Sequence, residues 1–201
     1  MRRRLLLALP ALIALTATAS AQDGPQPRLP TEKLVIVTRD GTRHEFTVEM
    51  ALSPDQQTVG LMFRPEVKPD EGMLFDWGQP RESAMWMRNT ITSLDMVFIN
   101  ADGRIRRIAE RTVPRSLATV ESRGPVRATL ELAAGTAERL NLHPGDQVLQ
   151  RIFGNAPRGW SATPRRSGRS RGRRNPRPVC RRPPGPRPRP APARRWLPAS
   201  V

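Results

Sequence analysis

Apolar and polar residues alternate in part along two short segments, 33–38 and 44–50. Both segments are rich in β-branched residues, which favour strands. Between them stands Asp40-Gly41, a pair that supplies the positive φ required by a tight hairpin turn. We therefore predict a β-hairpin over these residues.

The polar pattern after this hairpin predicts a helix. Ser53 precedes Pro54, and Gln56 follows three residues after the serine. Serine caps helix N-termini, proline suits the first helical position, and glutamine at the third position completes a capping box. We predict a short helix from this point to about Met62.

A second hairpin and a further strand follow. The segments Met96–Asn100 and Arg104–Ile108 flank another Asp-Gly pair at 102–103, which again predicts a tight turn. Residues Arg127–Leu132 alternate between polar and apolar side chains. This alternation predicts a half-buried strand.

The last patterned residues complete the predicted fold. Gly135–Leu142 is expected to form one or two helical turns, residues 143–146 a turn, and Gln147–Phe153 a closing strand. Strands dominate the pattern, and the links between them are short. We predict a mainly β, α+β fold with two short helices, in which an antiparallel or mixed sheet forms a small barrel or sandwich.

The first 21 residues have the three parts of a secretory signal peptide. Arg2–Arg4 form a cationic region, Leu5 to about Ala17 an apolar stretch, and Ala19-Ser20-Ala21 a cleavage site. The apolar stretch is too short and too interrupted for a membrane span. We expect cleavage near Ala21, a linker over 22–32, and a mature protein that is periplasmic or secreted.

Residues 156–201 have a different composition, with 14 Arg, no acid and many prolines. Such a segment buries too little apolar surface to offset its ordering entropy, which predicts a disordered Arg/Pro-rich tail. Three interpretations stay open: a polybasic arm for nucleic acid, an arm for an anionic membrane surface, or the product of a shifted reading frame or missed stop codon. Contact with a membrane surface is expected only through this tail.

The excess of positive charge lies in the two ends of the chain. The chain carries a formal charge of +16, from 34 Lys and Arg against 18 Asp and Glu. Residues 22–155 hold 17 basic and 18 acidic side chains, a net charge of −1. We therefore expect the predicted domain, 33–155, to have no specific nucleic-acid partner. The single cysteine, Cys180, excludes an intrachain disulfide.

Eight short blocks occur in a fixed order along the domain. They are Gly60–Arg64, Glu71–Phe75, Met85–Thr90, Leu94–Ile99, Asp102–Ile105, Thr129–Leu132, Ala134–Gly135 and Pro144–Val148. Together they resemble the prokaryotic family catalogued as domain of unknown function 192, over about residues 33–153. The resemblance implies a small, β-rich, commonly exported domain, and implies no particular activity. One departure is Ser93, where the family usually has proline.

The block from Met85 to Asp95 mixes flat apolar side chains with hydrogen-bonding groups, which is typical of a ligand pocket in a loop. A structural interpretation stays open, in which these side chains fill the core, satisfy a turn or form ion pairs. The candidate ligand-binding residues are Arg64, Trp86, Arg88, Asn89, Thr90 and Asp95.

Known catalytic and metal-binding patterns do not occur in the domain. There is no nucleophile elbow, the two histidines are isolated, and the methionines lie mostly in apolar runs typical of core. We expect no cofactor and no metal. The sequence favours an exported binding domain for an unknown ligand, such as a cell-envelope saccharide or another polar small molecule. The alternatives are an envelope-polymer hydrolase or lyase that uses Asp95 and Glu131, or a structural or interaction protein.

Overall fold

Seven strands in the described part of the chain pair into one sheet, in the order β5-β4-β6-β3-β2-β1-β7. The structure is a computed structural model and describes residues 24–158 and residue 160. The elements are β1 (Thr31–Val37), β2 (Arg43–Ala51), α1 (Pro54–Val59), β3 (Glu71–Met85), β4 (Leu94–Ile99), β5 (Ile105–Ala109), β6 (Val120–Ala133), α2 (Thr136–Arg139) and β7 (Gln147–Leu149), followed by a 3₁₀ turn at Arg151–Phe153.

The sheet is mixed and curls into a half-barrel. Strands β2 and β3 run parallel, which the crossover through α1 permits, and the other neighbours are antiparallel. The two ends of the strand order approach each other where Arg104 bridges to Gln147. There the Val148 N–H donates to the Gly103 carbonyl at 2.8 Å. The predicted fold class, a barrel-like α+β domain with two short helices, is confirmed.

Both predicted hairpins are present, with positive φ at Gly41 (85°) and Gly103 (81°). Two predicted elements are shorter than expected. Helix α1 ends at Val59 because Gly60 adopts φ 51°, outside the helical region. The closing strand ends at Leu149, and the chain then turns in the 3₁₀ segment.

The sequence pattern did not predict β3, the longest strand at 15 residues. Its middle carries Gly78 and Pro80, which weaken a strand assignment, and its pairing with β6 shifts register between Asp76 and Arg81. The structure accommodates these residues in an exposed irregularity. This irregularity lies beside the candidate site described below.

The sheet buries side chains on both faces along β3, β4 and β6. One face forms the interior of the half-barrel and includes Leu74, Val97 and Leu130. The other face carries a second apolar cluster, which includes Phe75 and Phe98. Successive residues of a strand point to opposite faces, so these strands show little polar alternation although they are regular.

Helix α1 and the residues after it cover part of the second face. The Ser53 Oγ accepts from the Gln56 N–H at 3.3 Å, and the Gln56 carboxamide oxygen accepts from the Ser53 N–H at 3.0 Å. This is the predicted capping box. The Gln57 side chain donates to the Asp76 carbonyl at 2.7 Å, and so ties the helix to β3. At Gly60 an added Cβ would meet the Phe75 ring at 3.0 Å, so the helix end packs closely on the sheet.

The predicted signal peptide, 1–21, lies outside the described residues, as does the predicted tail apart from residues 156–158 and 160. Within the part of the chain that is described, no helix has the length and apolar character needed to cross a membrane.

Candidate functional site

A cavity of about 310 Å³ lies between α1 and the second face of the sheet. Phe75 and Glu131 on the sheet line it, together with Trp77 from β3 and Trp86 from the loop after β3. Its size is at the lower end for ligand pockets. Because a water molecule takes about 30 Å³ in the liquid, the space corresponds to about ten waters, or one substituted six-membered ring.

Glu131 lies in a cross-strand row on the second face. Its Cα pairs with Met73 on β3 and with Met96 on β4, and Met73 pairs in turn with Glu49 on β2. Cross-strand partners point to the same face. The row therefore places two glutamates on one buried face, separated by a methionine.

Glu49 is fully compensated by its neighbours. Its two carboxylate oxygens accept from the Arg64 guanidinium at 2.9 and 3.0 Å, and the Leu29 N–H donates to Oε2 at 2.7 Å. Arg28 adds a longer contact at 3.3 Å. Both members of the central pair are buried, at 4% and 10% side-chain exposure. A bidentate, nearly dry pair of this kind holds Glu49 as a carboxylate.

Glu131 has no such compensation. The residue is 4% exposed, and among residues 24–158 and 160 no side chain or N–H group forms an ion pair or hydrogen bond with its carboxyl group. Burial raises the pKa of Glu131 from 4.5 to about 8. At pH 7 the group is therefore mainly a neutral carboxylic acid, with one O–H to donate and oxygen lone pairs to accept.

Trp77 forms one aromatic wall of the cavity. The centroid of its ring lies 5.8 Å from that of Phe75, and its indole N–H donates to the Thr129 hydroxyl at 3.3 Å. The Arg81 guanidinium carbon lies over the same indole, 4.3 Å from the ring centroid. The indole is thus held in place from two sides, and Arg81 is positioned at the cavity with it.

Trp86 supplies a second aromatic surface. Its side chain lines the cavity and is 42% exposed, which is high for an indole. The Arg88 guanidinium lies 5.4 Å from its ring centroid. An indole that is open on one side offers a flat apolar face to a ligand ring.

Of the six predicted ligand-binding residues, Trp86 and Thr90 line this cavity. Arg88 touches it only through its contact with Trp86. Asn89 adopts φ 55° in the loop, where its carbonyl accepts from the Phe63 N–H at 2.9 Å. Ligand binding by these residues stays a prediction.

The other two predicted residues lie elsewhere. Arg64 is committed to Glu49, as described above, and does not cap α1. Asp95 is completely buried, and its carboxylate accepts from the backbone N–H groups of Arg111 and Ala137, each at 2.8 Å. It therefore connects the loop after β5 to the start of α2.

The alternative that pairs Asp95 with Glu131 as catalytic acid and base is wrong. Asp95 pairs with Leu132, whereas Glu131 pairs with Met96. Since neighbouring residues of a strand point to opposite faces, the two carboxyl groups lie on opposite sides of the sheet. Glu131 reaches the cavity and Asp95 does not.

Most residues that line the cavity were not predicted as ligand contacts, and Phe75, Trp77 and Arg81 are among them. Glu131 was predicted only as a catalytic partner. The signal that identifies it is an acid in the middle of the apolar run Leu130-Glu131-Leu132 on a strand buried on both faces. A charged residue is rarely fully buried unless it is paired or functional.

Among the described residues, no group of three or more His, Cys, Asp or Glu side chains is arranged so that it could hold a metal ion. The methionines of the row, Met73 and Met96, are fully buried in the second apolar cluster. The Met87 sulfur accepts a hydrogen bond from the Thr112 hydroxyl at 3.2 Å.

The comparison with protein families agrees with the resemblance seen in the sequence. The family model of DUF192, described as an uncharacterized ACR, matches residues 35–150. The chain belongs to the DUF192 family. This DUF192 domain thus comprises all seven strands of the sheet except the first four residues of β1, Thr31–Leu34.

Two solved structures resemble this DUF192 chain. One, from Sinorhizobium meliloti 1021, is described as a candidate transcription regulator; it is 46% identical, covers 63% of this chain and 98% of its own, and has a TM-score of 0.62. The other, a protein of unknown function from Novosphingobium aromaticivorans DSM 12444, is 36% identical, covers 68% of this chain and 99% of its own, and has a TM-score of 0.60. A search of curated proteins found no match.

Proposed function

We propose that this DUF192 protein is an exported binding domain that holds one small polar ligand in the cavity above Glu131. The ligand is a ring-sized molecule, such as a saccharide unit of the cell envelope or another polar small molecule. The observation that carries the proposal is the buried carboxyl group of Glu131, which has no partner among the described residues and lines a cavity with two tryptophans.

Burial of the Glu131 carboxyl group costs free energy. A buried polar group without a hydrogen-bond partner costs about 1–3 kcal/mol, and an apolar side chain would fill this position at no such cost. Unpaired buried acids with raised pKa values concentrate at functional sites. A ligand hydroxyl or carbonyl that hydrogen-bonds to Glu131 would recover this cost only in the complex, which makes the group a source of specificity.

The aromatic walls suit a flat ring. Trp86 is open to solvent on one side, and Trp77 is fixed by its bond to Thr129. Aromatic side chains combine a large apolar contact area with little loss of conformational entropy. A ligand that covers Trp86 removes apolar surface from water and contacts Glu131 in the same position.

A binding function is favoured over hydrolysis because the described residues that line the cavity include one carboxyl group, that of Glu131. The nearest buried acid in the row, Glu49, is two strands away, about 10 Å from the strand spacing. Its carboxylate is occupied by Arg64. A two-carboxylate mechanism would need both groups free.

The location of the protein is part of this proposal. The three-part pattern over residues 1–21 supports export to the periplasm or the medium. We propose no DNA-binding role for this chain, although its Sinorhizobium relative is described as a candidate transcription regulator. Residues 22–155 carry a net charge of −1, whereas DNA-binding domains are markedly basic.

Replacement of Trp86 tests the proposal. The full chain is screened by tryptophan fluorescence and thermal shift against neutral, acidic and basic monosaccharides and small polar acids. We expect at least one to bind, and Trp86→Ala to weaken that binding by about tenfold, since an aromatic contact contributes on the order of 1.5 kcal/mol.

The matched control is Trp160→Ala, which removes an indole whose ring lies 6.0 Å from Lys33 and outside the cavity. It is expected to leave binding unchanged. Absence of binding by the whole panel, or equal affinities in the two variants, would contradict the proposed function.

A further inference from the structure

Arg81 and Glu131 are the only charged or ionisable residues that line the cavity, among the residues the structure describes. From this pair we infer the chemical class of the ligand: a hydroxylated ring that carries a carboxylate, in the manner of a uronic acid. The ligand carboxylate pairs with Arg81, and a ring hydroxyl or carbonyl accepts the O–H of Glu131. This inference rests on the proposed function, because it names the ligand of the same cavity.

The Arg81 guanidinium is available to pair with an anion. Within residues 24–158 and 160, no carboxylate lies within ion-pair distance of its guanidinium. The nearest acid on its own strand that could serve, Asp76, is already paired with Arg127. The adjacent Glu82 follows Arg81 directly, so its side chain points to the opposite side of the strand.

The contact with Trp77 positions this cation for an anion. The guanidinium carbon of Arg81 lies over the indole ring, 4.3 Å from its centroid, and Trp77 is in turn fixed by its hydrogen bond to Thr129. A guanidinium matches a carboxylate through two parallel hydrogen bonds. An arginine held against a fixed ring loses less freedom on binding than one without such a contact.

The cavity has room for a single ring. Its volume of about 310 Å³ corresponds to one substituted six-membered ring. Arg81 and Glu131 both line this volume. A ring-sized ligand that fills the cavity therefore contacts both groups.

A cationic ligand fits less well. Arg81 occupies the face of Trp77, where an ammonium group would otherwise bind, and would repel it. The acid at the other end is buried among Met73, Met96 and Phe75, and such surroundings disfavour the ionised carboxylate that a cation requires. The other buried acid of the cross-strand row, Glu49, is neutralised by Arg64.

The test compares three sugars that differ mainly in charge: glucuronate, glucose and glucosamine. Binding to the full chain is measured by ligand-observed NMR and calorimetry up to about 10 mM, the range of weak single-ring ligands. We expect glucuronate to bind about fivefold more tightly than the other two, since Arg81 is exposed and water weakens the ion pairs of exposed side chains.

Two variants with one matched control locate the effect. Arg81→Gln is expected to abolish the preference for glucuronate, whereas Arg43→Gln, an equal charge change on the β1–β2 hairpin outside the cavity, retains it. Glu131→Gln is expected to retain binding, because an amide N–H replaces the acid O–H. Wild-type affinity for glucuronate falls above pH 8, and the affinity of Glu131→Gln does not.

The outcomes separate the inference from the proposed function. Equal affinity for the three sugars, or tighter glucosamine binding that increases with pH, would overturn the acidic-ligand assignment and leave a ligand-binding cavity in place. Retention of the glucuronate preference in Arg81→Gln would also overturn it. If none of the three sugars and no member of the wider panel binds, both the acidic-ligand assignment and the proposed binding function are contradicted.

Discussion

Glu131→Gln is expected to stabilise the protein at neutral and alkaline pH. The folded protein holds the Glu131 proton up to about pH 8, whereas the unfolded chain releases it near pH 4.5. Between these two values the folded state binds one proton more, so stability falls with rising pH by about 1.4 kcal/mol per unit. At pH 7 the accumulated penalty is on the order of 3 kcal/mol.

Glutamine has the shape of the neutral acid and does not titrate, so the variant avoids this penalty. The difference in unfolding free energy between variant and wild type should be small at pH 4, increase through pH 7 and level off above pH 8. A gain of this size raises the melting temperature by roughly 10 °C. Urea unfolding at four pH values between 4 and 9 measures it directly.

A surface substitution provides the control for this experiment. Glu66 is exposed in the segment between α1 and β3, and Glu66→Gln is expected to change stability by less than about 0.5 kcal/mol at every pH. If the Glu131→Gln difference does not vary with pH, Glu131 is not a buried neutral acid.

Arg64→Met is expected to have the opposite effect, a loss of about 3–5 kcal/mol at pH 7. The guanidinium satisfies both oxygens of Glu49, and both residues are buried. Its removal leaves a carboxylate that retains only the Leu29 N–H and the longer contact from Arg28. Chemical denaturation at constant pH measures the loss.

Arg28→Met is the matched control, since Arg28 contacts the same carboxylate from a side chain that is 61% exposed. We expect a cost of no more than about 1 kcal/mol. The double variant Glu49→Met with Arg64→Met should regain much of the loss, because replacing both partners leaves no buried charge. Equal costs for Arg64→Met and Arg28→Met would show that the buried pair is not the main support of Glu49.

The two glutamates of the cross-strand row, Glu49 and Glu131, are both buried but differ in their partners. Glu49 is held by an arginine and contributes to the structure that closes the second face. Glu131, two strands away, is left without a partner among the described residues and faces the cavity. A position that lowers stability and remains accessible to a small ligand is typical of a functional site.

Local signals in the sequence were enough for the hairpins and for α1. The Asp-Gly pairs at 40–41 and 102–103 require a tight turn whatever the rest of the chain does. The capping box around Ser53 likewise acts within four residues. These features depend on neighbouring residues, and the structure has them where the sequence predicted them.

Strand β3 could not be predicted in the same way. Its apolar residues Met73, Leu74 and Phe75 alternate between two buried faces, so the polar alternation that marks a half-buried strand is missing. Gly78 and Pro80 then favour a loop. The second face is buried by segments from outside the strand, among them Leu61 after α1 and Met87 in the loop after β3. Such packing is not visible in the local sequence pattern.

The same limit applies to the candidate site. Trp86 and Thr90 lie in the block that the sequence singled out, because dense mixed polarity is a local feature. The positions of Trp77, Arg81 and Glu131 at the cavity depend on strand register and on the packing of α1 and the segment after it. The sequence alone does not show to which face of the sheet a side chain points, so Asp95 and Glu131 were considered as a pair. The register of β4 on β6 places them on opposite faces.

The most direct test of this account is carbon NMR of the Glu131 side-chain carboxyl group between pH 4 and 10, with the signal assigned by its absence in Glu131→Gln. We expect the Glu131 carboxyl group to titrate near pH 8. A ligand that accepts its proton should raise that midpoint further, since it binds the neutral form. A Glu131 carboxyl that titrates near pH 4.5, with no change on addition of any ligand in the panel, would contradict it.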